Sequence, residues 1–150
     1  MKEAIRYLHN ARGILRHAPR EGRVYTDLKP VQEACGTAYL AILKAIDEYL
    51  LAHGLTQKEL PKSVDGYRQM LRKYVAVHNG KLFREFENLY YLLHLAGYYR
   101  KLLIDVPVVK EALNSAQQFI SRLNPPKKNC FGIPKSSQSK LLHSGQKLEK

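Results

Sequence analysis

The chain has 150 residues and a mass of 17.3 kDa, and its 25 Lys and Arg against 13 Asp and Glu give a formal net charge of +12. That length suits one domain, and 45% hydrophobic residues with a mean hydropathy of -0.39 allow most of it to bury a core, which excludes a wholly disordered basic protein. The longest stretch without a charged residue, Asn88 to Tyr99, is twelve residues, well short of the roughly 20 that a membrane span needs.

Charges at Lys2, Glu3, Arg6 and Arg12 interrupt Met1 to Leu15, so no signal-peptide core is expected there and the expected location is the cytoplasm, with no membrane association. Cys35 and Cys130 form no CxxC pair and lie 95 residues apart, which suits a reducing compartment. Neither a zinc site nor a disulfide framework is expected, and no cofactor.

Apolar residues recur at helical spacing from residue 2 to 124, with no convincing period-two run. The first helix, about Lys2 to His17, places Ala4, Leu8, Ala11 and Leu15 inward and Arg6, Arg12 and Arg16 on a basic outer face. Residues 18–28, with Pro19, Gly22 and Asp27, read as a loop. Pro30 then sits where the first turn of a second helix tolerates proline.

That helix runs to about His53, with Ala34, Ala38, Ala41, Ala45 and Ala52 in one narrow stripe that allows close neighbours. Gly54 is read as its left-handed cap, and Thr56 and Glu59 have capping-box spacing. Ser63 opens the third helix, whose inner stripe is Tyr67, Met70, Leu71, Tyr74 and His78, stopped by Asn79-Gly80. The fourth, Lys81 to about Ile104, packs Leu82, Phe86, Leu89, Leu93 and Ala96. The fifth, about Val108 to Leu123, turns Val108, Ala112, Ala116, Phe119 and Leu123 inward.

Short connections between amphipathic helices make neighbours of sequential elements, so the expected fold is all-α, an antiparallel up-and-down bundle of four to five helices over residues 1–124. After Asn124-Pro125-Pro126 the composition shifts, and 125–150 reads as a disordered basic tail. It carries six lysines against Glu149 alone, a net of +5, which leaves +7 on the bundle.

The run from Ala38 to Ala45, Ala-Tyr-Leu-Ala-Ile-Leu-Lys-Ala, resembles the alanine-rich second helix of the HEPN superfamily. More closely, Tyr90 to Tyr99, Tyr-Tyr-Leu-Leu-His-Leu-Ala-Gly-Tyr-Tyr, is similar to a hallmark of small bacterial HEPN-like domains of unassigned function. The resemblance covers about residues 1 to 123. It implies a helical domain that binds nucleotides or RNA, often as a homodimer and often encoded beside a nucleotidyltransferase, which would be a protein partner. Some members are metal-independent ribonucleases, with an Arg on the scissile phosphate and a His that moves the 2'-hydroxyl proton.

The match to that pair is Arg72 and, six residues on, His78. An imidazole titrating near neutrality suits the proton transfer and a guanidinium suits the charge growing on the phosphate. A regular helix sets the two roughly 120° apart, so they converge only where it ends between them. The other reading of His78 is a hydrogen-bonded core residue on the inner stripe.

Arg100 falls on the helical line of Leu82, Leu89 and Leu93, where a charge needs a partner. It either snorkels out or pairs with a carboxylate such as Asp105, or it faces a cleft and donates to a phosphate or carboxylate. Tyr90, His94, Tyr98 and Tyr99 complete a candidate ligand-binding set, either as a groove on which bases stack or as packing. No glycine-rich phosphate loop, nucleophile elbow, HExxH or di-iron Glu-x-x-His pattern occurs. The expected function is a non-catalytic RNA- or nucleotide-binding module. The alternatives are a protein-interaction or toxin-antitoxin-type partner module, and a ribonuclease using Arg72 and His78.

Overall fold

The computed structural model describes residues 1–124, and the expected tail, 125–150, lies outside them. Five α-helices carry the described chain, with a two-stranded hairpin that the sequence did not suggest. Helix α1 spans Lys2–Arg16 and buries Ala4, Leu8 and Ala11. Leu15, expected inward, is half-buried, and Arg12 leaves the expected outer face to bridge to the last helix.

The stretch expected as loop folds as β1 (Arg20–Glu21) and β2 (Val24–Tyr25), antiparallel, with Arg20 opposite Tyr25 and Glu21 opposite Val24. Gly22, at φ +57°, supplies the left-handed residue that a two-residue turn demands. The hairpin is closed at its base, where Thr26 N–H donates to Pro19 (3.0 Å), and is tied to the segment before the last helix, with Tyr25 N–H donating to Ile104 (2.9 Å) and Val106 N–H to Arg23 in the turn (2.8 Å). Two-residue strands are too short to show a period of two, which is why the pattern was silent there.

Helix α2 (Leu28–Ala52) starts at Asp27, whose carboxylate accepts from the Lys29 N–H at 3.0 Å, and Gly54 follows its end at φ +97°. Ala34, Ala38, Ala41 and Ala45 are buried along with Cys35, Ile42 and Ile46. Ala52, expected on the same stripe, is exposed in the final turn, where no neighbour covers it. Burial drives the Cys35 thiol up to about 12. A short 3-10 turn, Gln57–Glu59, is held by the Glu59 carboxylate accepting from the Thr56 N–H (2.7 Å) and hydroxyl (2.9 Å).

Helix α3 (Val64–Leu71), capped by Ser63, runs into a π-helical turn over Arg72–Ala76. In a π turn each hydrogen bond spans one more residue than in an α-helix, so the inward face moves. Tyr67, Leu71 and Val75 are buried at spacings of four, Met70 and Tyr74 are half-buried, and His78 is exposed rather than on the inner stripe. The helix ends before Asn79-Gly80, and Gly80 itself begins α4.

Helix α4 (Gly80–Leu89) passes directly into a π-helix over Tyr90–Tyr99, so the fourth helix stops five residues before the expected Ile104. It buries Leu82, Phe86, Leu89, Leu93 and Gly97, while Ala96 is half-buried. Lys101, at φ +53°, follows the helix end, and Asp105 meets the hairpin in a bridge to Val24. Helix α5 (Val106–Leu123) opens on Asp105, whose carboxylate accepts from Val108 N–H at 3.2 Å. It buries Val109, Ala112, Leu113, Ala116, Phe119, Ile120 and Leu123, and Val108, expected inward, is exposed one residue out of phase.

Helix α2 is the central element, in contact with α1, α5 and the π-helix. No helix among the described residues is long and apolar enough to cross a membrane. Gly97 packs closely on Cys35: a Cβ built at Gly97 lies 2.6 Å from the Cys35 Sγ and 2.8 Å from its Cβ. Gly97→Ala is therefore expected to cost about 1–3 kcal/mol by overpacking. Gly80→Ala, where an added Cβ meets nothing within 4 Å, is expected to be neutral or stabilising by up to about 1 kcal/mol. Urea unfolding of both variants reads the difference.

Candidate functional site

The π-helix arranges its aromatic residues in a column. Four residues of α-helix advance by about 40° beyond a full turn, so rings at i, i+4 and i+8 would fan apart. The wider π turn brings them into line. Tyr90 and His94 stack with centroids 5.4 Å apart and planes at 26°, and His94 and Tyr98 stack at 5.8 Å and 17°. Tyr39 of α2 lies against His94 at 4.7 Å, and the Tyr98 ring presses on Gly36. The Gln32 amide donates to the Tyr98 carbonyl at 2.8 Å, closing the α2 contact.

The lower end of the column is fixed by charge. Arg68 grips Glu87 with Nε and Nη2 at 2.7 and 3.1 Å, donates to Asp65 at 2.9 Å, and lies 5.0 Å from the Tyr90 ring centroid. Tyr90 and His94 are half-buried and present their faces to other rings, while Tyr98 is 43% exposed. This is a packing arrangement first. Tyr99, 73% exposed, and Arg100 project from the helix end. Arg100 is off the apolar line because the π-helix shifts the phase and stops at Tyr99, and the Asp105 carboxylate serves the cap of α5 instead of pairing with it.

Arg72 and His78 are both exposed, with the Arg72 guanidinium 4.9 Å from the Phe83 ring centroid. Among the described residues no hydrogen bond joins them to each other. No three His, Cys, Asp or Glu side chains gather there as a metal site requires, again among the described residues.

A different place in the fold collects functional groups. A cleft of about 560 Å³ opens between α1, the hairpin and α5, lined by Arg12, Arg16, Arg20, Lys110, His9 and Asn114, with Leu15, Ala18, Tyr25 and Leu113 as its apolar wall. Helical spacing puts His9, Arg12 and Arg16 on one flank of α1 and Lys110, Leu113 and Asn114 on one flank of α5. The hairpin register then sets Arg20 beside Tyr25 across the end. Arg12 is held in place by its Nη2, which donates to the Asn114 Oδ1 (3.1 Å) and the Gln117 Oε1 (2.6 Å).

No carboxylate lines this cleft, and among the described residues none pairs with Arg12, Arg16, Arg20 or Lys110. The Tyr25 hydroxyl is pushed up by burial, against the pull of the Arg20 charge. Sequence reading found the arginine flank of α1 and missed its partners. The available signal was Arg20-Glu21-Gly22-Arg23, a glycine turn flanked by charge, and Lys110 three residues before Leu113.

Fold and cleft together define a mostly helical domain with a basic recess at one edge. The chain belongs to the family described as Domain of unknown function (DUF5618), whose model matches residues 1–125. Among solved structures it is similar to a protein of unknown function from Dyadobacter fermentans, at 34% identity and a TM-score of 0.66, covering 81% of this chain and 89% of that one. No curated protein gives a significant match.

On the far side of α2, the Tyr67 hydroxyl donates to the Asp47 carboxylate at 2.9 Å. Burial raises the Asp47 carboxyl above its ordinary value, outweighing that hydrogen bond and the Lys44 charge. A raised folded-state value means the carboxyl favours the folded state when protonated, and that contribution is lost as pH rises through the raised value. Asp47→Asn keeps an acceptor for Tyr67 without the buried charge. It is expected to match or exceed the parent in urea unfolding at pH 7, with the difference closing as pH falls into the carboxylate range.

Proposed function

We propose that this domain is a non-catalytic RNA- or nucleotide-binding module and that its ligand's phosphates seat in the basic cleft. The observation that carries the reading is the convergence of Arg12, Arg16, Arg20 and Lys110 on one recess with no carboxylate to neutralise them. Like charges held together repel, so a fold that gathers four of them without a carboxylate partner is poised for an external anion. The +7 charge of residues 1–124 extends that field beyond the cleft and attracts a polyanion before contact. Kinship with HEPN domains belongs to the same proposal and rests on the Ala38–Ala45 and Tyr90–Tyr99 segments.

The test is fluorescence anisotropy of a labelled single-stranded RNA titrated with the whole chain across a salt series. The expected result is binding that weakens steeply with salt, with a slope lowered by about 0.7 for each phosphate contact removed. Arg12→Ala, Arg16→Ala and Arg20→Ala combined should lower both affinity and slope. Binding by the triple variant equal to the parent's, at every salt concentration, contradicts a role for the cleft.

A second reading, a protein-interaction role with a second copy of the chain as partner, is favoured by the exposed apolar groups beyond the π-helix. Tyr99 is 73% and Leu102 63% exposed, with Tyr91 and Ile104 nearby in the chain. Sedimentation equilibrium is expected to show a dimer that Leu102→Lys converts to monomer. A parent that is strictly monomeric at high concentration ends this reading.

A further inference from the structure

We infer that the cleft between α1, the hairpin and α5 recognises a phosphomonoester end group, rather than the diester backbone of a strand passing over it. The inference rests on the binding reading above and narrows it to one chemistry.

Three observations carry it. The first is charge: Arg12, Arg16, Arg20 and Lys110 face one recess, more cationic charge than a monoanionic diester or a carboxylate offsets. A phosphomonoester carries about -1.5 to -2 at neutral pH and three acceptor oxygens, so it offsets more of that charge than a diester and engages more of the donors.

The second is preorganisation. The two bonds that fix Arg12 to α5 both leave from Nη2, to Asn114 and Gln117, so the guanidinium is held in orientation while Nη1 and Nε remain to donate elsewhere. A guanidinium held beforehand loses less freedom on binding, and its remaining N–H groups are available to an oxyanion.

The third is size and wall. About 560 Å³ lies within the range of small-molecule sites, roughly 300–1,000 Å³, and holds an end group with its sugar rather than a run of nucleotides. Leu15, Ala18 and Leu113 with the Tyr25 ring give the uncharged body an apolar surface opposite the cations. The phosphomonoester has two sources, a small phosphorylated metabolite or the phosphorylated end of an RNA strand, and the chemistry at the cleft is the same for both.

The experiment compares three probes on the whole chain at one moderate salt concentration. They are a labelled oligoadenylate with a 5'-phosphate, the same strand with a 5'-hydroxyl, and ribose 5-phosphate as competitor. The 5'-phosphate strand is expected to bind at least tenfold more tightly than the 5'-hydroxyl strand, and ribose 5-phosphate to displace it. Arg12→Gln should erase the difference between the strands while leaving the residual binding. Because Arg12 also ties α1 to α5, Lys110→Gln at an exposed position serves as the second variant, with thermal unfolding of both checked against the parent.

Ribose 5-phosphate binding without either strand supports the inference and assigns the small-molecule source. Equal binding of the two strands with no displacement by ribose 5-phosphate overturns it while the RNA-binding reading stands. No binding of any probe at low salt overturns both.

Discussion

Close approach at the small-residue face of α2 is the constraint on which the rest of the architecture depends. Ala34, Ala38, Ala41 and Ala45 are fully buried on one side of the helix, and round its axis from them Cys35 and Gly36 accept Gly97 and Tyr98 from the π-helix. Small side chains let backbones approach, and dispersion and burial then act over the whole length of the contact. With α1 and α5 both seated on α2, their outer flanks are brought together, and Arg12 reaches Asn114 and Gln117 across the seam. The cleft is a consequence of that convergence. Larger residues in the alanine stripe would part α1 from α5 and disperse its cations.

The two π-helical segments are the second determinant. Such geometry is rare and costs hydrogen-bond quality, so it persists where the surroundings compensate. Here the compensation is visible as the stack of Tyr39, Tyr90, His94 and Tyr98 and the grip of Arg68 on Glu87 and Asp65. The first π turn brings Val75 inward and leaves His78 in solvent, and the second ends the helix at Tyr99 with Arg100 exposed. A regular 100° rotation would place His78 on the inner stripe and Arg100 on the apolar line, and this chain does not keep that rotation.

Much of the fold was legible because it follows from local rules. Asp27 and Ser63 cap helices, Gly54 takes a left-handed conformation after α2, Glu59 closes on Thr56, and the alanine stripe lies inward. What the pattern missed is non-local. The hairpin is held by Tyr25 bonding to Ile104 and Val106 to Arg23, each across some 80 residues of chain, and no window of the sequence contains both partners. The cleft shares that origin: Arg12 and Arg16 were legible as a basic flank, while Lys110 and Asn114 read as ordinary surface until α5 is laid beside α1. Tyr90, His94 and Tyr98 were legible as neighbours on one flank, yet only the wider turn makes them stack.

The proposed binding role depends on an anion seating in the cleft between α1, the hairpin and α5. Amide chemical-shift mapping by NMR, with the whole chain labelled with nitrogen-15 and titrated with inorganic phosphate at constant ionic strength, tests it most directly. The account predicts saturable shifts concentrated at residues 9–25 and 110–117, with the π-helix unmoved. Saturable shifts centred instead on residues 90–100, or linear drift spread over the whole basic surface, would contradict it.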